Sequence, residues 1–486
     1  MAAVGNLGAA TKIWDGGTSG NGTSWTTNAN WNPDNAPNSG DVIIMDSTIV
    51  SIPTSMTISG AIGAASISFS NNFNGTNTTV IGSGSNSPRV ITLDNNWIFT
   101  NNATSGTVTF QPQNGGNADL SIALNGSGTF SVATGGTLAI TTLIANGSAS
   151  SGFAKTGGGT LQLAGANTYT GTTTISAGSL VVAANAPSGG TGSLGSATSA
   201  IVLGDGSTAA GGAPSLLISN TSTVSRAITV GSVSNTAAYN ATIGGSNTTG
   251  TSTFDGSITL NTTAANYTVI LQAATGGTVE FKTGTWTTNN KAVTIGSSGN
   301  TGTVKLSNTL STTGGINVNS GTLLLGASNQ IGNSTDVTLS GGTFDLGGFS
   351  EGAAGTTGLG ALILSAPSIL DFGTLGSGTS VVQFSGVGSR SGTLQIVDYD
   401  SGTDHLYFAG TSDIFAGVYG LGNSGNVSFN GVSGYSAIQF GGYYEIVAVP
   451  EPATILGALG LVGLVGWRER RRLGKLFERH STPALG

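Results

Sequence analysis

Short segments in which apolar and polar residues alternate recur along most of the chain, and they share one five-residue pattern. Each segment begins with Gly-Thr, continues with an apolar residue and places a second apolar residue two positions later. The pattern, with serine for threonine in its last member, begins at Gly106, Gly128, Gly136, Gly159, Gly277, Gly302, Gly321, Gly342, Gly392 and Gly178. Because alternate side chains of a β-strand point to opposite faces, each segment predicts a strand with one buried face.

The spacing of these strands indicates how they are arranged. Successive starts are mostly 19 to 25 residues apart, as at Gly136, Gly159 and Gly178. Hairpins return after fewer residues, and a βαβ unit needs a helix that no segment before residue 453 offers. We therefore predict an all-β fold, an elongated parallel β-helix (solenoid), followed by a short C-terminal transmembrane helix. Roughly 20 coils that rise about 4.8 Å each would form a rod about 100 Å long.

The composition excludes several classes of function. Charged residues make up 7% of the 486, and 14 are Lys or Arg, so the chain lacks the basic residues that nucleic-acid binding requires. With no cysteine, disulfides and thiolate chemistry are excluded. The two histidines, His405 and His480, leave little for a histidine-based metal or acid–base centre. These features favour a structural protein over an enzyme.

The C-terminus differs in character from the rest of the chain. The segment Val449-Pro450-Glu451-Pro452 precedes an apolar stretch, 453–467, and a basic cluster follows it: Arg468, Arg470, Arg471 and Arg472. As a helix, this stretch reaches about 22 Å, short of the roughly 30 Å of a hydrocarbon core, and Trp467 with the snorkelling arginines extends its reach. The basic cluster predicts a cytoplasmic end, with the body outside. The alternative is a buried core helix with a charged end.

One segment of the body resembles the autotransporter-associated β-strand repeat. Residues 157–182, GGGTLQLAGANTYTGTTTISAGSLVV, carry its three blocks in order: GGGTLQL, NTYTGTTTI and GSL. The stretch 302–348 resembles the same repeat more loosely. The opening segment 13–46, with Trp14, Trp25 and Trp31, is also similar to the starts of such proteins. The resemblance implies a repetitive β-helical body on an exported protein.

The tail closely resembles the PEP-CTERM sorting signal of Gram-negative bacteria. The resemblance makes Val449, Pro450, Glu451 and Pro452 the sorting motif, 453–467 a transient membrane anchor, and the arginines a stop-transfer cluster. It implies the export machinery and an exosortase-type processing enzyme as partners. It also implies a final place on the outer surface or outside the cell, in association with exopolysaccharide and biofilm.

These features divide the chain into five predicted regions. They are a truncated export region (1–12), an N-terminal cap with the first coils (13–100), the solenoid (101–447), the sorting signal (448–472) and a basic cytoplasmic tail (473–486). MAAVGNLGAA has neither the basic start nor the apolar core of a signal peptide, so we expect the true start to lie upstream of Met1.

One acidic segment is a candidate metal or catalytic site. Asp398, Asp400 and Asp404 alternate with Gly402 in the way that oxygen ligands do in calcium loops. Together with His405 they also form the one dense group of residues able to act as acids or bases, as a carbohydrate-active enzyme would require. The favoured interpretation is a polar corner loop. We therefore expect no cofactor, with calcium as the alternative.

The amino-terminal tryptophans are a candidate glycan contact. Trp14, Trp25 and Trp31 could stack on sugar rings, or they could close the open end of the solenoid, since terminal coils need caps. We expect a non-enzymatic exported surface or extracellular-matrix protein, adhesin-like or exopolysaccharide-associated. The alternatives are a carbohydrate-active β-helix enzyme and a glycan-binding module.

Overall fold

The computed structural model describes most of the body and one turn of the tail. The described residues are 9–17, 22–46, 53–73, 77–82, 89–112, 120–231, 235, 237–261, 267–282, 284–374, 378–410, 427–448 and 468–471. Their strands stack almost throughout in parallel as successive coils, and they form three sheets that run along the solenoid, named here sheets A, B and C. The parallel β-helix predicted from the spacing is confirmed.

Sheet A begins at the N-terminus with an antiparallel pair and continues with parallel strands. In stacking order these are Trp31–Asn32, Thr11–Trp14, Val42–Met45, Ile62–Phe69, Arg89–Asn101, Gly128–Val132, Phe153–Thr156, Thr173–Ile175, Ile201–Leu203, Ile228–Val230, Ile258–Leu260 and Trp286–Thr287, with Leu120–Leu124 and Leu143–Asn146 branching from Arg89–Asn101.

Sheet B extends from the first coils to the end of the body. Its parallel strands are Ser55–Ile58, Asn77–Gly82, Thr107–Gln111, Thr137–Ile140, Thr160–Leu163, Ser179–Val182, Ser215–Ile218, Tyr239–Gly245, Tyr267–Ala273, Val293–Ile295, Ile316–Val318, Val337–Leu339, Leu359–Leu364, Val381–Arg390 and His405–Ala409. The antiparallel strands Tyr443–Ala448 and Tyr435–Phe440 close the sheet.

Sheet C belongs to the second half of the solenoid. Its strands are Thr223–Val224, Thr251–Phe254, Thr278–Phe281, Thr303–Leu306, Thr322–Leu325, Thr343–Asp345, Ser368–Asp371, Leu394–Val397, Val427–Phe429 and the antiparallel Val432–Ser433. The described helices are two 3₁₀ turns, Asn28–Asn30 and Asn71–Phe73, and the helical turn 468–471.

The core consists of aliphatic side chains that repeat in register from coil to coil. One ladder in sheet B is made of buried residues: Val108, Leu138, Leu161, Leu180, Leu216, Ile243, Leu271, Ile295, Val318, Leu339 and Leu364. Fully burying one such side chain contributes about 1.5–3 kcal/mol. The second apolar position of the Gly-Thr segments is buried in the same way, as at Phe110, Ile140 and Leu163 of sheet B, so the sequence repeat and the core have the same period.

The glycine of the repeated pattern is required by the close approach of neighbouring coils. A Cβ atom at Gly159 would overlap the backbone carbonyl oxygen of Ala133 in the previous coil. The following Thr160 points outward, and Leu161 points into the core. Each Gly-Thr pair therefore marks a corner of the solenoid at which one residue must be small and the next faces solvent.

Among the residues that the structure describes, no helix is both long enough and apolar enough to cross a membrane. The apolar stretch 453–467 lies outside the described residues, so its role stays a prediction.

Candidate functional site

The amino-terminal tryptophans lie inside the first coils. Trp14, Trp25 and Trp31 are each 0% exposed, and Trp31 packs edge-on against both others, with ring centroids 5.0 Å from Trp14 and 6.0 Å from Trp25. The indole Nε1 of Trp31 donates a hydrogen bond to the backbone oxygen of Trp25 at 2.7 Å. Stacking on a sugar requires an exposed ring face, so the glycan-contact assignment of these three residues is corrected: they pack as an aromatic cluster within the terminal coils.

A buried amine lies two residues before the segment that resembles the repeat. Lys155 follows Phe153 on the inward face of its strand, and its side chain is 0% exposed. Its Nζ donates to the backbone oxygens of Thr156, Gly157 and Ala177 at 2.8, 2.7 and 3.1 Å. Burial lowers the pKa of Lys155 from 10.5 to about 7. The amine thus donates hydrogen bonds to backbone carbonyl groups of two successive coils and links them at a corner of the solenoid.

Asn167 of the same segment joins three coils. Its side-chain Oδ1 accepts from the backbone N–H of Ile144 at 2.8 Å, and its Nδ2 donates to the backbone oxygen of Ser193 at 2.7 Å. Its own backbone pairs with Gly192 in both directions. Because a buried amide is stable only when its polar atoms are paired, this asparagine fixes the registers of the neighbouring coils.

An interior arginine organises the next coils. The guanidinium of Arg226 donates to the backbone oxygens of Leu194 and Ser199, at 2.7 and 2.8 Å, and its pKa is lowered by burial. Burial raises the pKa of the neighbouring Tyr169 to about 12, although its contacts with Thr173 and Arg226 act in the opposite direction. Both groups are enclosed, so neither is placed to meet a substrate.

A third buried ionisable group is a carboxyl group. Oε1 of Glu351 accepts hydrogen bonds from the backbone N–H groups of Gln330 and Ile331, at 2.6 and 3.0 Å. Burial raises its pKa to about 8, and these two bonds lower it by less. Sequence reasoning missed Lys155, Arg226 and Glu351. For Lys155 and Arg226 the sequence does carry a signal. Each lies an even number of positions from apolar residues of the same strand or loop, and therefore faces the same side as they do.

The acidic segment is a corner loop whose carboxylates bind backbone groups. Asp404 is 5% exposed, and its two oxygens accept from the backbone N–H groups of Ser380 and Asp400 at 3.1 and 2.8 Å. Oδ1 of Asp400 accepts from Gly402 at 2.9 Å, and Asp398 has a φ of 51°. Among the described residues, no three acidic or histidine side chains are placed to hold a metal ion. Calcium binding by Asp398, Asp400 and Asp404 stays a prediction from the sequence.

A terminal hairpin ends the solenoid immediately before the predicted sorting motif. Tyr443–Ala448 pairs antiparallel with His405–Ala409 on one side and with Tyr435–Phe440 on the other. The Nδ1 atom of His405 and the Oε1 atom of Glu445 form a hydrogen bond across the first of these interfaces. The last described residue of the body is therefore held in a three-stranded arrangement.

The tail itself is described in part. The predicted motif Val449, Pro450, Glu451 and Pro452 lies outside the described residues, as does Arg472. Arg468, Arg470 and Arg471 lie exposed on the helical turn 468–471. The exposure of these three arginines is compatible with a solvated basic cluster.

Two family comparisons match short parts of the chain. Residues 153–182 match the passenger-associated-transport-repeat family, and residues 448–472 match the PEP-CTERM protein-sorting motif. Both resemblances seen in the sequence are thereby confirmed. No curated protein and no solved structure matches the chain. The two matches indicate an exported, cell-surface protein whose sorting signal implies processing by an exosortase-type system.

Proposed function

We propose that this protein is a non-enzymatic surface or extracellular-matrix protein, adhesin-like and associated with exopolysaccharide, which is processed at its sorting segment during export. The observation that carries the proposal is the match of 448–472 to the PEP-CTERM motif directly after the hairpin strand Tyr443–Ala448. In this proposal 453–467 is a transient inner-membrane anchor, and the arginines that follow it stop transfer.

The outward surface of the solenoid supports a role in adhesion. Its strands alternate buried apolar positions with outward polar ones, and only 7% of the chain is charged. Long rows of uncharged hydroxyl and amide groups suit contacts with hydrated polymers, because they offer hydrogen bonds without requiring a counter-charge.

The contacts made by the side chains of the acidic loop support a non-enzymatic role. The carboxylate of Asp404 is occupied by two backbone N–H groups, and His405 is paired with Glu445. If exopolysaccharide is depolymerised by the purified full-length chain, and alanine at Asp398, Asp400 and Asp404 abolishes that activity, the enzyme alternative replaces the proposal.

Mass spectrometry of the protein recovered from the outside of its native cells tests the export step. We expect a C-terminus near Val449–Pro452, with 453–486 removed. An intact arginine-rich tail in inner-membrane fractions, with no processed form outside, would contradict the proposal. Replacing Pro450, Glu451 and Pro452 with alanine is expected to leave unprocessed chains in the membrane, whereas alanine at Asp398 is the matched control and leaves processing unchanged.

A further inference from the structure

A row of hydroxyl groups follows the solenoid axis along one edge of sheet C. Thr251, Thr278, Thr303, Thr322 and Thr343 lie in register on five successive strands, and each of them directly follows a glycine. All five lie at the first outward position of their strands and are exposed or half-buried. Because neighbouring strands are about 4.8 Å apart, the row repeats one hydroxyl at that interval.

The row continues into a groove. The next three in-register positions are Ile369, Gln395 and Ser428, which extend the row to eight strands and about 34 Å. These three side chains line a cavity of 380 Å³ together with Gly341, Pro367, Ser368, Thr393 and Leu394. That volume is within the range of about 300–1,000 Å³ that is usual for ligand sites. The row and the groove are named here the axial track.

The chemistry of the axial track selects for an uncharged, hydroxyl-rich polymer. The lining offers hydroxyl groups and one amide, which both donate and accept, and its apolar members Pro367 and Ile369 suit the C–H faces of sugar rings. None of the residues that line the groove is ionisable. A charged ligand would therefore lose hydration there without gaining a counter-charge.

The neighbouring row of outward side chains disfavours an anionic polymer in particular. Asp345 and Asp371 are adjacent in register and lie two residues beyond Thr343 and Ile369 on the same strands. The positive charge nearest to them in this row, Lys305, forms an ion pair with Glu280 at 3.1 Å. A polyanion in the groove would approach two carboxyl groups.

We propose that the axial track binds a neutral polysaccharide chain that lies parallel to the solenoid axis, with one end in the groove lined by Ile369, Gln395 and Ser428. The inference rests on the proposed function, since it names the class of polymer that the exported body would contact. A pyranose residue is similar in length to one coil rise, so successive sugars meet successive threonines.

Affinity electrophoresis of the full-length chain tests the track, with dextran, laminarin, hydroxyethyl cellulose and alginate as the probes. We expect at least one of the three neutral polymers to retard the wild type, and alginate not to. Isosteric removal of hydroxyls in T303V/T322V/T343V, and of the amide in Q395L, is expected to weaken that retardation at least tenfold.

The first half of sheet B supplies the matched control. Thr107, Thr137 and Thr160 form a similar in-register row on the outward face, away from the groove. T107V/T137V/T160V is therefore expected to bind within twofold of the wild type. Circular dichroism and thermal melting of all variants verify that the fold is retained.

Three results would overturn the proposal: no retardation by any neutral polymer, equal weakening by the sheet B control, or retardation by alginate that salt abolishes. Each of these leaves the proposed function standing, because export and processing are measured separately by the C-terminus of the mature protein. Conversely, an unprocessed inner-membrane protein that still binds a neutral polymer through the track would remove the proposed function alone.

Discussion

Lys155 donates a hydrogen bond from Nζ to the backbone oxygen of Ala177, at 3.1 Å, and thereby joins two successive coils of the solenoid. The two residues are 22 positions apart, about one coil along the chain. A buried amine with a pKa of about 7 makes this contact dependent on pH near neutrality.

The free energy of unfolding of the wild type should rise with pH relative to K155M. Between pH 7 and pH 10.5 the unfolded chain binds a proton that folded Lys155 has released, so raising the pH favours the folded state. We expect the difference between the two proteins to change by up to about 5 kcal/mol over this window, because each pKa unit corresponds to about 1.4 kcal/mol. Urea denaturation at a series of pH values measures it, and a difference that stays constant from pH 7 to 10.5 would contradict the prediction.

Glu351 should have the opposite effect on the wild type. Its folded pKa of about 8 lies above its ordinary value of 4.5, so between these values folded Glu351 retains a proton that the unfolded chain has lost. The stability that the group contributes is present below pH 4.5 and is lost as the pH rises through 8. Relative to E351Q, the wild type should therefore lose stability over that window, as followed by urea denaturation.

Glu280 provides a control of opposite sign for this experiment. Although partial burial acts to raise its pKa, the hydrogen bond from Ser307 and the charge of Lys305 lower it below the ordinary value. Its stabilising contribution is therefore present above its ordinary pKa and is lost as the pH falls through the lowered folded pKa. If E351Q and E280Q showed the same pH trend, the assignment of Glu351 as a protonated buried group would be wrong.

The repeated Gly-Thr pattern was sufficient to predict the parallel coils but not their three faces. Alternation identifies Leu161 as buried and Thr160 as outward, and the structure confirms both. It does not say that Thr160 belongs to sheet B whereas Thr303 belongs to sheet C. That assignment depends on the lengths of the corners between strands, which have no strong local signal.

The candidate site was less predictable because burial depends on contacts between distant coils. The indole ring of Trp25 packs against Trp31 and also against Phe69 and Phe110, which are up to 85 residues away in the sequence. The groove of the axial track likewise arises only when segments around Gly341, Ser368, Thr393 and Ser428 are stacked. Residue type alone therefore predicted a glycan contact at the tryptophans. The stacking of the coils buries these side chains and forms an accessible groove at the axial track instead.

Replacing Trp31 with alanine should destabilise the first coils without affecting polysaccharide binding. The side chain is fully buried and packs against Trp14 and Trp25, so its removal is expected to cost about 3–5 kcal/mol locally. Hydrogen exchange should show faster exchange in residues 9–46 of W31A. Retardation by a neutral polymer should match the wild type, because the axial track begins at Thr251. A loss of binding with the track intact would restore a role for the tryptophans.

Gly159 should tolerate no side chain, even though its φ is not positive. A Cβ atom there would overlap the carbonyl oxygen of Ala133 and approach Val132, so G159A must separate two coils or shift their register. We expect a loss of at least about 2 kcal/mol in the free energy of unfolding, measured by urea denaturation.

Gly442, at the tip of the terminal hairpin, has nothing within 4 Å of the same added atom and serves as the control. G442A should therefore differ from the wild type by less than about 0.5 kcal/mol, since neither packing nor a left-handed φ opposes it. Equal effects of the two substitutions would show that glycine is retained at the corners for chain flexibility, not for the close approach of the coils.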